Sequence, residues 1–190
     1  MAWKKSGATK TYTEATLYQY AVGALGRRMR TVAELKRLMR TRARHQPDCD
    51  TLIEAVTVRL KEQQYLNDAR YASSYSTNRR DSEKFGRLRV VQDLKGKGVH
   101  PDVISKTVGE TYSEVDEQEL ARAFTERKRL KPPQDQKAAA RIFRMLARAG
   151  FSTRVIVNLL RNWKVEDETL SALEQEREMD EQTPSLEDES

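Results

Sequence analysis

Gln64-Tyr-Leu-Asn-Asp-Ala-Arg-Tyr-Ala-Ser-Ser-Tyr75, followed after nine residues by Phe85-Gly-Arg-Leu-Arg-Val-Val-Gln-Asp-Leu-Lys-Gly-Lys-Gly98, is the stretch that decides how this chain folds. One helix ends at Tyr65-Leu66, an Asx residue restarts the chain, and a second helix carries Tyr71, Ala72 and Tyr75 on its apolar face. A Phe-Gly break then precedes a short helix closed by Gly98. The pattern is helix–helix punctuation, with no strand alternation and no catalytic signature. A weaker copy stands at Arg144-Met-Leu-Ala-Arg-Ala-Gly-Phe-Ser152, so the unit repeats.

Setting Leu38, Leu94 and Leu146 in register gives spacings of 56 and 52 residues, with Leu35, Val91 and Phe143 three positions earlier. Gly98 and Gly150 then share one offset. Glycine there suits the left-handed residue that closes a helix, because it has no Cβ to clash. The next helices open at Pro101, a first-turn proline, and after Ser152, a candidate cap. Their apolar positions Val103, Ile104 and Val108 match Val155, Ile156 and Leu160. In the first unit Asp50 is expected to cap a helix bearing Leu52, Ile53, Val56 and Leu60.

Three helices per unit are predicted, at 13–28, 31–44 and 50–65, then 68–80, 86–97 and 101–111, then 114–130, 135–149 and 152–163. A lone unit of about 50 residues buries too little surface to stand comfortably, so neighbours should pack in series. The expected architecture is all-α, an elongated array of three tandem three-helix modules at 13–66, 67–112 and 113–164. A basic N-terminal tail, 1–12, and an acidic tail, 165–190, flank it, neither with a sustained apolar face, and Leu170 and Leu173 offer the acidic tail a short helical contact. Lys131-Pro-Pro-Gln134 reads as a stiff turn inside the third module.

Charge is divided unevenly. Residues 165–190 hold eleven acids and one base, a net of −10, which leaves +16 on residues 1–164 of the overall +6. So basic a helical body draws polyanions, either nucleic acid or an acidic protein groove. The single cysteine, Cys49, excludes an intramolecular disulfide and suits a reducing compartment. No apolar run approaches the roughly 18 residues of a membrane span. Met1-Ala-Trp-Lys-Lys-Ser has no apolar stretch behind its lysines, so a cytoplasmic monomer with no membrane contact is expected.

The second helix of each module carries the cations. In the third, Ala139, Ile142, Phe143, Leu146 and Ala149 form an apolar stripe, and Lys137, Arg141, Arg144 and Arg148 fall opposite it within an arc of roughly 60°. In the first, Leu35, Leu38 and Met39 face inward and Lys36, Arg37, Arg40 and Arg44 outward. Lys36 and Arg40 align there with Arg144 and Arg148, and neither stripe is interrupted by an acid. The middle module places Arg89 on the equivalent face beside Asp93, with Arg79, Arg80, Lys84, Arg87, Lys95 and Lys97 around it. Like charges one turn apart destabilise an isolated helix by a few tenths of a kcal/mol, which a polyanionic partner would offset. These fifteen cations are the candidate binding residues.

Base-reading and catalysis find little support. Val155-Ile-Val-Asn-Leu-Leu160 is nearly all apolar and Val103-Ile-Ser-Lys-Thr-Val108 has one cation, so neither third helix suits a major groove. Phosphate contact stays open. Tyr65, Tyr71, Phe85 and Phe151 sit at helix faces or junctions and read as core rather than as base-stacking platforms. His45 and His100 are isolated, no phosphate-binding loop or zinc spacing occurs, and neither catalytic residues, metal nor cofactor is expected.

Tyr65-Leu-Asn-Asp68-x-Arg70-Tyr-Ala72, Gly86-x-x-Arg89 leading to Asp93-Leu-Lys-x-Lys-Gly98-Val99, and Met145-Leu-x-Arg-x-Gly-Phe151 together resemble the RecX family of regulators of the RecA recombinase. The resemblance runs from about residue 14 to 163. It implies three tandem three-helix modules and a non-enzymatic protein. Its implied action is binding in the groove of the RecA–DNA filament, limiting ATP hydrolysis and strand exchange in recombination and repair. DNA would be met non-specifically, through phosphates. The long acidic tail and the Pro132-Pro133 turn depart from the family's pattern. A different reading of the same charge is a sequence-independent DNA-binding protein with no recombinase partner.

Overall fold

Side-chain oxygens start several of these helices. Thr13, Thr31, Asp116 and Asp135 each hold extended backbone and accept a hydrogen bond from an amide two or three residues on. An amide otherwise orphaned in the first turn is thereby satisfied. The computed structural model describes residues 11–182, with side chains through Met179. Its helices are α1 Glu14–Arg27, α2 Val32–Ala43, α3 Cys49–Glu62, α4 Asp68–Asp81, α5 Arg87–Gly96, α6 Pro101–Thr111, α7 Glu117–Arg127, α8 Gln136–Arg148, α9 Thr153–Asn162 and α10 Asp167–Gln182. No strand occurs among the described residues. All nine predicted helices form, with ends displaced by at most three residues.

Three expectations are corrected. Cys49 begins α3 after Asp48, so Asp50 lies inside the first turn and pairs with Arg40 instead of capping. Ser152 precedes α9 without a capping bond, since both its amide and its hydroxyl donate to the Glu117 carboxylate at 2.8 and 3.0 Å. The stretch expected as an acidic tail from residue 165 holds α10, whose Leu170 and Leu173 are buried in the same core as α7, α8 and α9. Two leucines three apart are enough to seat a helix when a complementary apolar surface exists. What remains of the predicted tails at 1–10 and 183–190 lies outside the described residues.

The chain forms two compact units. One runs to Tyr75 and includes Leu94–Thr107; its core joins Leu17, Ala21, Leu35, Met39, Ile53, Val56 and Leu60. The other comprises Ser76–Asp93 and the chain from Val108, around Phe124, Phe143, Leu146, Phe151, Ile156 and Leu160. Helices α4, α5 and α6 each contribute to both.

Burial corrects the repeat register. Val90 and Leu94 are fully buried in α5, as are Leu35 and Met39 in α2, while Leu38 is only half-buried. Residues four apart lie on one helix face, so Met39 rather than Leu38 is the counterpart of Leu94 and Leu146. That shift places Arg37, not Lys36, in register with Arg144, and the two basic stripes no longer coincide residue for residue.

Glycine marks where the repeats meet themselves. α3, α5, α7, α8 and α9 end in one hydrogen-bonded turn, with Gln64, Gly98, Arg129, Gly150 and Lys164 in the left-handed conformation. Only two of these five are glycine, so the turn alone does not demand it. A Cβ on Gly98 would stand 2.5 Å from Ala33 Cβ at the start of α2, and one on Gly150 would stand 2.2 Å from the Arg89 amide nitrogen at the start of α5. Gly86 completes the second junction: its amide donates to Ala149 O at 2.9 Å, and Leu88 N–H to Gly150 O at 3.2 Å. At the first, Thr31 Oγ1 donates to Lys97 O at 2.7 Å. Gly98 and Gly150 therefore each sit against the start of the preceding module's second helix.

Candidate functional site

Asp135 caps α8, its carboxylate accepting from the Ala138 amide at 2.7 Å. From there Lys137, Arg141, Arg144 and Arg148 run along the exposed side, while Ala139, Ile142, Phe143, Leu146 and Ala149 are buried as expected. The turn after α7 supplies a facing wall. Arg129, held at φ +52° without glycine's freedom, is followed by Leu130 and Lys131. Between them lies a groove of about 580 Å³, floored by Leu130, Ala138, Ile142 and Met145. Its charged lining is Arg129, Lys131, Lys137, Arg141 and Arg144, with Asp135, the α8 cap, as the one acid. An apolar floor under five cations and one acid is a lining of net positive charge, of the kind suited to an acidic ligand that also carries hydrocarbon or rings.

Arg129 and Lys131 are absent from the sequence-based set; the run Arg127-Lys-Arg-Leu-Lys131 is the signal in the sequence that points to them. Their relation to α8 follows from the left-handed turn, which no periodicity encodes.

One member of the stripe is already paired. Arg144 Nη1 lies 3.3 Å from Glu176 Oε1 on α10, and Arg161 Nε lies 3.0 Å from Asp167. Both pairs are exposed, so each is weak and screened by salt. Among the described residues no carboxylate pairs with Lys137, Arg141 or Arg148 within ion-pair distance.

The first module's stripe differs. Lys36 donates to Glu54, and Arg40 binds Asp50 at 2.8 Å, so α3 supplies the acids that α2 lacks. Arg44 donates to His45 Nε2 at 2.9 Å, and Arg37 stands exposed. In the middle set most cations hold the fold. Arg80 donates to Thr111 O at 2.6 Å and pairs with Asp81 at 2.7 Å. Arg89 pairs with Asp93 at 3.0 Å and donates to Arg148 O at 3.5 Å. Lys97 pairs with Glu34 at 3.2 Å and lies over the rings of Tyr71 and Tyr75, which stack 5.9 Å apart. Arg79 lies over Phe85 at 5.6 Å. Arg87 and Lys95 are exposed, and Lys84 is half-buried in a left-handed conformation.

The aromatics split as well. Tyr71 and Phe151 are buried and half-buried Phe85 packs beside Phe124, but Tyr65 is 59% exposed and is not core. Among the described residues no cluster of His, Cys, Asp and Glu is placed to hold a metal ion, and no helix is long and apolar enough to cross a membrane.

Comparison with known proteins adds to this geometry. Residues 67–108 match the family model described as RecX, second three-helix domain. Regulatory protein RecX of Deinococcus radiodurans is 34% identical over 149 residues, covering 78% of this chain and 68% of that protein. Its counterpart from Ralstonia nicotianae is 32% identical over 142 residues, covering 74% and 83%. The crystal structure of RecX from Lactobacillus salivarius superposes with a TM-score of 0.60 at 18% identity, over 80% of this chain and 96% of that one. That last likeness speaks for the fold alone.

Proposed function

Because the chain belongs to the RecX family of regulatory proteins, we propose that it binds the groove of the RecA–DNA filament and there restrains ATP hydrolysis, strand exchange and filament growth. The observation that carries this reading is the α8 groove, in which five cations and one capping acid, Asp135, rim an apolar floor; of the α8 cations, Lys137 and Arg141 in the groove and Arg148 outside its lining are unpaired by any described carboxylate. A filament groove brings RecA surface and DNA phosphates together, and the cations of α8 suit the phosphates. Occlusion is the mechanism: modules bounded at 13–66, 67–112 and 113–164 lie along the groove and exclude an incoming duplex. The protein acts as a cytoplasmic monomer and contributes no catalytic group of its own.

The exposed cations of α8 also favour a second reading, sequestration of DNA without a recombinase partner. The two separate in titrations of RecA's DNA-dependent ATP hydrolysis. Groove binding inhibits at concentrations far below those that coat the DNA, since one bound molecule affects a filament of many subunits. Inhibition that begins only when the DNA is saturated would assign the effect to sequestration.

A further inference from the structure

Tyr65 breaks the rule of its own turn. In each of the five equivalent helix ends an apolar or aromatic residue follows the left-handed position: Tyr65, Val99, Leu130, Phe151 and Val165. Such residues usually fold back on the helix they end. Val99 and Phe151 are buried, and Leu130 and Val165 are partly so. Tyr65 is 59% exposed, because Leu66 takes the core position in its place and is 3% exposed. The amides of both donate to Leu60 O, at 3.0 and 3.3 Å, which fixes the turn while the ring points out.

Around that ring is a concavity of about 190 Å³ whose walls include Met29, Arg30, Gln64, Asn67 and Arg70. Met29 is itself 47% exposed. Arg30 is braced by a bond from Nε to Ala24 O at 3.4 Å, and Arg70 is exposed. Among the described residues lining the concavity there is no carboxylate. An open aromatic face beside a thioether, flanked by two guanidinium groups, matches what a base and its neighbouring phosphates require. An acidic protein segment would use the cations but gain little from the bare ring.

We propose that Tyr65 is a stacking platform for an unpaired base of single-stranded nucleic acid, with Arg30 and Arg70 holding the flanking phosphates. The site lies in the first unit, apart from the α8 groove, and does not rest on the recombinase reading.

Fluorescence anisotropy with labelled oligothymidylate and with a duplex of equal length tests it, with no recombinase present. Tyr65→Ala should weaken single-strand binding about 10-fold, as loss of one stacked base implies, and leave duplex binding unchanged. Tyr65→Phe should bind like the parent, and an abasic oligonucleotide should bind the parent and Tyr65→Ala equally. Helical content measured in parallel should not move, since the ring is outside the core. Unchanged single-strand affinity in Tyr65→Ala, an equal loss for duplex, no rescue by Phe, or no single-strand affinity in the parent would overturn the proposal.

Discussion

Gly86 and Gly23 show how differently one residue type can be constrained. A Cβ on Gly86 would fall 2.2 Å from Gly150 O, a backbone atom that cannot swing aside, whereas nothing lies within 4 Å of one on Gly23 in α1. Gly86→Ala should therefore cost about 2 kcal/mol or more as the junction is forced apart. Gly23→Ala should stabilise by about 0.5–1 kcal/mol through helix propensity. Urea unfolding of the two variants against the parent measures both. Tyr112 reports on the same region: its hydroxyl donates to Phe85 O at 2.9 Å, and burial pushes the phenol up to about 12. With the folded value above the unfolded value of about 10, its stabilisation is complete below that pH and disappears as pH rises through 12. Tyr112→Phe should cost about 0.5–1.5 kcal/mol at neutral pH and remove a late-titrating tyrosine from the alkaline absorbance curve.

Within helices, burial and charge sort the faces. Met39 is fully buried in α2 and Leu38 half-buried, so Met39→Ala should cost about 2–5 kcal/mol and Leu38→Ala clearly less. Thermal or denaturant unfolding that ranked them the other way would restore the simpler leucine register. On α8 the exposed arginines carry no core load. Arg141, Arg144 and Arg148 replaced together by Gln should leave helical content intact and weaken binding to DNA and to filaments. The log–log salt slope of DNA binding should fall by about one unit for each phosphate contact removed. Unaltered binding would mean that this face is only solvated.

At the scale of the molecule, α10 sets a basic body against its own acidic segment. Its seven acids and one base begin beside Arg161 and pass Arg144, anchored by Leu170 and Leu173. Removing residues 166–190 would strip two core leucines along with the charge, so truncation confounds masking with unfolding. Asp167→Asn combined with Glu176→Gln keeps the anchor and releases both arginines. That variant should bind DNA more tightly than the parent at low salt, with the difference fading as salt rises, because exposed pairs are screened. Equal affinities at low salt would remove α10 from any regulatory role.

By itself the sequence determined the all-α class, the nine helices of the three modules and the glycine-marked repeat, since these follow from local periodicity, caps and backbone freedom. The four outward cations of α8 were legible for the same reason: a helix with one apolar stripe leaves only one place for charge. Tertiary structure decided the rest. Whether Lys36 and Arg40 meet acids depended on α3 crossing α2, and Arg129 joined α8 only through a left-handed turn. Tyr65 and Leu66 are adjacent apolar residues at a helix end, and nothing local says which turns inward. α10 was legible only as a short helical contact through Leu170 and Leu173, because two leucines amid seven acids make no amphipathic signal over its full length. Their burial depends on a surface that α8 and α9, the two preceding helices, build together, and packing of that kind is not written in any one segment.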